Sequence, residues 1–242
     1  MTEALEPGEL RVCYAFSSEL TEAQRLRCRG VLSDDEIERH ARFRFEEDRD
    51  AYLVAHALTR TMLASALDVP GRELRFEPGA NGRPELAWPE RAPRLRFNLS
   101  HTRGLVACGL ALELDIGVDV EHEDRRVEID SLSKRVFSTT ERQGLDALQG
   151  DAQRRRFFEV WTLKEAYLKA TGVGLTRSLQ AISITLAEGR PPSIAFASPN
   201  GDSGTRWLMR VQTVRPRFVL AVAAATSGTN TRCSVAERSP WS

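Results

Sequence analysis

An internal echo constrains this chain more than any single residue does. Val31-Leu32-Ser33 leads to Glu36, and Val136-Phe137-Ser138 leads to Glu141, so each apolar pair opens a Ser-x-x-Glu stretch. That stretch is a capping box: the serine hydroxyl accepts from the amide three residues on, the glutamate reaches back to the serine amide, and a helix begins. The two boxes stand 105 residues apart, and the same shift lays residues 51–60 over 156–165, with Tyr52 over Phe157, Leu58 over Leu163 and Leu63 over Leu168. Both segments space their apolar residues by three and four, as amphipathic helices do. A capping box alone recurs easily by chance. A box and a following helix that share one offset argue for an internal duplication within 242 residues, against two unrelated helix pairs in one α+β domain.

Strand signals complete each half. Residues 10–16, 95–99, 105–112 and 116–120 read as strands, with turns around 101–104 and 113–115, and 181–186, 193–197, 207–214 and 218–225 repeat the theme. Helices and strands are grouped rather than strictly alternating, which favours α+β lobes over a doubly wound parallel sheet. The expected organisation is an N-terminal lobe over 1–115, a C-terminal lobe over 116–226 and a loose or lightly docked tail over 227–242. Residues 79–84 read as a turn between elements.

Composition narrows the partners. With 34 basic and 34 acidic side chains the net charge is zero, so no overall field draws the chain to nucleic acid or to an anionic membrane. Any anion has to be gripped locally. No apolar stretch is long enough to span a bilayer, and the acidic residues 1–10 do not read as a secretory signal. Cys13, Cys28, Cys108 and Cys233 are scattered without a Cys-x-x-Cys pair, against a zinc or redox motif and in keeping with a reducing, cytoplasmic setting.

Against 31 arginines the chain keeps three lysines, Lys134, Lys164 and Lys169, and two of them bracket Glu165. A compact ammonium group with a movable pKa does chemistry that a guanidinium does not. Glu165 and Lys169 also form an ordinary i,i+4 helix pair, contributing about 0.3–0.5 kcal/mol. Their helix should begin near Arg154 and stop at Thr171-Gly172, where glycine can adopt the left-handed cap. Glu165 lies on an apolar stripe with Phe158, Trp161 and Leu168, so it needs a partner, either a neighbouring lysine or a metal. Asp119 and Glu121, two apart on a strand, leave the same face. Two like charges side by side suit a hard divalent cation, and they equally suit a strand end facing water.

Asn98, Ser100 and His101 close a strand and enter a turn whose amides could hold phosphate, though consecutive strand residues face opposite ways and Ser100-His101 is no nucleophile-base pair. Arg39, Arg42 and Arg44 form a second basic cluster, and Arg83 stands in the Gly82-Arg83-Pro84 turn.

Taken in order, Gly82-Arg83-Pro84, the stretch Phe97 to His101, the stretch Gly117 to Glu121 and the stretch Trp161 to Lys169 resemble the signature of the Sfp-type 4′-phosphopantetheinyl transferases. The resemblance spans most of the chain and is weakest in the first thirty residues and the tail. It implies a two-lobe, pseudo-twofold α+β fold, each lobe a small antiparallel sheet packed with helices. It implies transfer of the phosphopantetheine arm of coenzyme A to a serine of an acyl or peptidyl carrier protein of fatty-acid, polyketide or nonribosomal-peptide synthesis, with release of 3′,5′-ADP. Its magnesium ligands would be Asp119, Glu121 and Glu165, with Glu165 or a water as base and Lys169 assisting the leaving nucleotide. Arg39, Arg83, Pro84, Ser100 and His101, together with Asp119 and Lys169, would hold coenzyme A. Arg83 replaces a frequent lysine, and Glu36 stands where some relatives carry one. A monomer is implied, and Lys134, Arg135, Val136 and Phe137 are candidate carrier contacts. Two rivals use the same residues: a magnesium-dependent phosphohydrolase, separated by 3′,5′-ADP release without carrier, and a non-catalytic coenzyme A binding module.

Overall fold

The computed structural model describes residues 4–18, 20–79, 82–89, 94–172, 178–197, 204–226 and 231–241. Ala80 and Asn81 of the expected 79–84 turn, and 227–230 and 242 of the expected tail, lie outside the described residues. The chain forms two compact units, Met1–Leu114 with Arg232–Ser242, and Asp115–Thr231.

Each unit runs through its elements in the same order. The first has β1 (Glu9–Phe16), three helices α1 (Glu22–Val31), α2 (Asp34–Ala41) and α3 (Glu46–Leu67), a 3-10 turn at Gly71–Glu73, a hairpin of β2 (Arg75–Pro78) and β3 (Pro84–Trp88), then β4 (Leu95–Thr102) and β5 (Leu105–Leu112). The second has β6 (Ile116–His122), α4 (Ile129–Val136), α5 (Thr139–Asp146), α6 (Gly150–Thr171), a 3-10 turn at Leu179–Ala181, β7 (Ile182–Thr185) with β8 (Ser193–Phe196), then β9 (Trp207–Arg215) and β10 (Phe218–Ala225). Sheet order repeats too: β1-β5-β4 in one unit and β6-β10-β9 in the other, all antiparallel. In the first unit Val54, Leu58 and Met62 of α3 close over Cys13, Phe97, Val106 and Cys108. In the second, Leu163, Tyr167 and Ala170 of α6 share a core with Val219, Ala221 and Met209.

Both capping boxes form, Ser33 with Glu36 and Ser138 with Glu141. Each capping glutamate then receives a buried cation from the long helix of its unit. Arg60 Nε donates to Glu36 Oε2 at 2.6 Å and its Nη1 donates to the carbonyls of Gly71 and Leu74, which bound the 3-10 turn. Lys164 Nζ lies 2.6 Å from Glu141 Oε2 and donates at 2.9 Å to the carbonyls of Leu179 and Ile182, which bound the second 3-10 turn, and of Val136. The latch makes Arg60 the counterpart of Lys164, not of Glu165. The helix alignment expected from the 105-residue shift is therefore one residue out, although the capping boxes match. Lys164, fully buried, is structural.

Four further expectations change. β4 runs on through Thr102, because its hairpin to β5 needs only Arg103 and Gly104, the latter at φ +86°, so Ser100 and His101 are strand residues. α6 starts at Gly150 rather than near Arg154; its N-cap Gln149 makes no side-chain cap, so nothing local marked the start. Part of the tail expected to be loose or lightly docked forms a full strand, β11 (Arg232–Glu237), paired in parallel with β1 from Glu9 to Tyr14, since β1 otherwise presents an unpaired edge. Phe137, expected among the carrier contacts, is 1% exposed and stacked on Phe157, while Lys134 and Arg135 are exposed.

Candidate active site

Glycine brings the site together. A Cβ on Gly117 would come within 2.0 Å of the Ala166 carbonyl oxygen and 2.4 Å of the Ala170 amide, so only a residue without a side chain lets β6 lie this close to α6. The same strand face then presents Asp119 and Glu121 to the helix. On α6, Trp161, Glu165 and Lys169 follow at four-residue spacing, one per turn along one side. Lys169 Nζ meets Asp119 Oδ1 at 2.7 Å and Trp161 Nε1 donates to Glu121 Oε1 at 3.0 Å. Glu165 lies between them in sequence.

The electrostatics follow from that packing. Asp119 and Glu121 are 6% and 8% exposed. Burial pushes the Glu165 carboxyl up to about 7, the charges of Asp119 and Glu121 add to the rise, and Lys169 and Arg125 oppose it. Glu121 is raised as well, first by burial and then by Asp119, against Arg125 and the Trp161 hydrogen bond. These three carboxyl groups therefore share one field. Among the described residues no three His, Cys, Asp or Glu side chains form a ready-made metal cage. The strand carboxylates are instead engaged by Lys169, Arg125 and Trp161.

Arg125 and Trp161 are the partners that sequence reasoning did not assign. Arg125 Nη1 donates to Glu121 Oε1. Its spacing of four from Glu121 carries no signal, because a chain leaving a strand can turn in many ways. Here Arg154 fixes the turn by donating to the carbonyls of Glu123 and Arg125. Glu123, just past the strand, is 2% exposed with Arg155 and Arg217 nearby.

The first unit holds the other candidates. Arg39 and Pro84 line a cavity of about 390 Å³ with His56, Arg60, Phe97 and Leu99. Glu36 stands at this cavity, held by Arg60 and, at 3.0 Å, by His56 Nδ1. Burial raises its pKa, but the hydrogen bonds and charges of His56 and Arg60 outweigh this and bring it down to about 2. The Glu36 charge is thus met within the protein by Arg60 and His56. Arg83 donates to the Phe97 carbonyl at 2.7 Å. Ser100 is buried and His101 exposed, so the two side chains leave opposite faces of β4.

A strand pair of acids, Asp119 and Glu121, thus faces a helical Glu165 and Lys169 within the second unit. The family pattern described as 4′-phosphopantetheinyl transferase superfamily matches residues 115–223, and that described as 4′-phosphopantetheinyl transferase, N-terminal, matches 20–111. The chain is 34% identical over 168 residues to the 4′-phosphopantetheinyl transferase HetI of Nostoc sp., covering 69% of this chain and 70% of that protein. It is 33% identical over 215 residues to a phosphopantetheinyl transferase of Thraustochytrium sp., covering 84% and 73%. With Sfp of Bacillus subtilis the figures are 28% over 206 residues, 85% and 88%. The chain belongs to the 4′-phosphopantetheinyl transferase superfamily, in its Sfp-type branch.

Proposed function

We propose that this transferase moves the phosphopantetheine arm of coenzyme A to a carrier serine with Glu165 as general base, Lys169 as the group that meets the leaving nucleotide, and Asp119, Glu121 and Glu165 as ligands of a magnesium ion. The observation that carries this reading is the close approach of β6 to α6 at Gly117, which sets Asp119 and Glu121 in one field with Glu165 and Lys169. A correctly placed base contributes about 10²–10⁴-fold. The donor set fits the ion: it is all oxygen, and its members repel one another until a cation joins them. When bound, magnesium would draw off charge from the pyrophosphate.

The chain's own residues supply the rest. Glu165 takes the serine proton as the hydroxyl oxygen attacks the β-phosphorus of coenzyme A; the bond from that phosphorus to the bridging oxygen breaks, and 3′,5′-ADP leaves with the electron pair. Lys169, tied to Asp119 in this structure, supplies an ammonium charge, and a proton, to that oxygen. Trp161 orients Glu121 with a neutral hydrogen bond. Arg39, Arg83, Pro84, Ser100 and His101 are the proposed contacts to coenzyme A. The reading extends to a cytoplasmic monomer serving acyl or peptidyl carriers of polyketide or nonribosomal-peptide synthesis.

The test is a mass spectrum of apo carriers from each pathway incubated with coenzyme A, magnesium and either the parent or Glu165→Gln. The parent should add the arm. The variant should lose at least about 100-fold in rate with an unchanged circular dichroism spectrum. Parental turnover by the variant would remove Glu165 from its assigned role.

A further inference from the structure

We propose that Arg125 is a resident counter-cation of Glu121 that a divalent ion has to displace, so that this residue sets how tightly the acidic cluster takes up metal. The inference rests on the reading of Asp119, Glu121 and Glu165 as metal ligands. Arg125 Nη1 and Trp161 Nε1 arrive on the same oxygen, Glu121 Oε1. The indole is neutral, and its hydrogen bond is compatible with a cation on the carboxylate. The guanidinium is not, because it would sit against the incoming ion with like charge. Three carboxyl groups already share the neighbourhood with two cations, Lys169 and Arg125. A dication added to both would leave the cluster with excess positive charge; release of one restores the balance.

Arg125 is the cation built to leave. Its backbone is held, with its amide donating to the His122 carbonyl at 2.9 Å and its own carbonyl accepting from Arg154. Its side chain is 51% exposed, against 29% for Lys169. A fixed turn with a half-exposed arm lets the guanidinium swing into water while β6 and α6 stay as they are. With its guanidinium half in water, Arg125 loses less on release than an enclosed cation would, yet its charge competes with the metal for the buried Glu121 carboxylate.

The experiment titrates Mg²⁺ into the full chain, without coenzyme A, by calorimetry, using the parent, Arg125→Gln and Arg125→Lys, and melts each with and without Mg²⁺. Arg125→Gln should bind Mg²⁺ about two- to fivefold more tightly. It should melt below the parent in the absence of metal and gain more from saturating Mg²⁺. Arg125→Lys, which keeps the charge, should stay near parental affinity, which a purely structural role for the side chain would not produce. Should the glutamine variant not fold, Arg125→Ala carries the same expectation. Unchanged or weaker Mg²⁺ binding by the neutral variants, beside a parent that binds, overturns the role of Arg125 alone. A parent that takes up no Mg²⁺ overturns the metal reading and this inference with it, and that outcome is seen in the parent titration by itself.

Discussion

Glu165 holds a proton that an exposed carboxyl group would have lost. Its ordinary value is 4.5, and in the folded chain burial and then Asp119 bring it to about 7. Between those limits the folded state binds more protons than the unfolded one, so stability falls as pH rises from 4.5 to 7. The consequence is testable in metal-free protein. Glu165→Gln, which cannot charge, should be more stable than the parent at pH 7.5 by about 3 kcal/mol and indistinguishable from it at pH 4, read from urea midpoints. An advantage that grew on acidification would contradict the origin of the shift. The same substitution should abolish transfer, so the residue is maintained at a cost to the fold. This much was legible in the sequence, because period two on a strand and period four on a helix are local properties that put Asp119 with Glu121 and Glu165 with Lys169. Arg125 was not legible, since its reach back to Glu121 depends on a turn that Arg154 fixes from α6.

At the level of elements, one latch is written twice with different cations. Arg60 and Lys164 each join a capping glutamate to both ends of a 3-10 turn, which fixes the long helix against the short capped helix and against the turn that follows. The capping boxes were readable at a distance of three residues. The latch was not, because it joins residues that are remote in sequence and a lysine beside Glu165 invites a chemical reading. Burial lowers the Lys164 pKa and Glu141 opposes the change. Removing one partner of such a buried pair leaves the other charge uncompensated. Glu141→Gln is therefore expected to cost about 3–5 kcal/mol, and Glu141→Gln with Lys164→Met less than the sum of the single changes, by a coupling of about 1–3 kcal/mol. Additive losses in urea denaturation would mean that the two side chains act separately. The end of α6 was as plain as its acids, with Gly172 capping at φ +67° where glycine was expected.

Across the whole molecule, sequence order and spatial order part company at the last strand. The chain completes the second unit at β10 and then supplies β11 to the first, where it lies along β1 in parallel register. Trp241 follows and packs on two apolar clusters of that unit, its carbonyl accepting from Arg27 at 3.0 Å. Nothing local announces this. β11 is short and carries Arg232, Ser234 and Glu237, and its partner is at the opposite end of the chain, so no periodicity could report the pairing. Its effect is to cover the outer edge of β1, a row of amides and carbonyls that would otherwise invite pairing with another chain. Deleting residues 231–242 should therefore do two things at once. The melting temperature should fall by roughly 5–10 °C, as loss of a strand and a docked tryptophan implies for a chain of this size. The truncated protein should also self-associate with rising concentration in analytical ultracentrifugation, whereas Trp241→Ala, which keeps β11, should melt lower without associating. If the truncation melted with the parent and sedimented as a single species, β11 would be an ornament on β1 and not its cover.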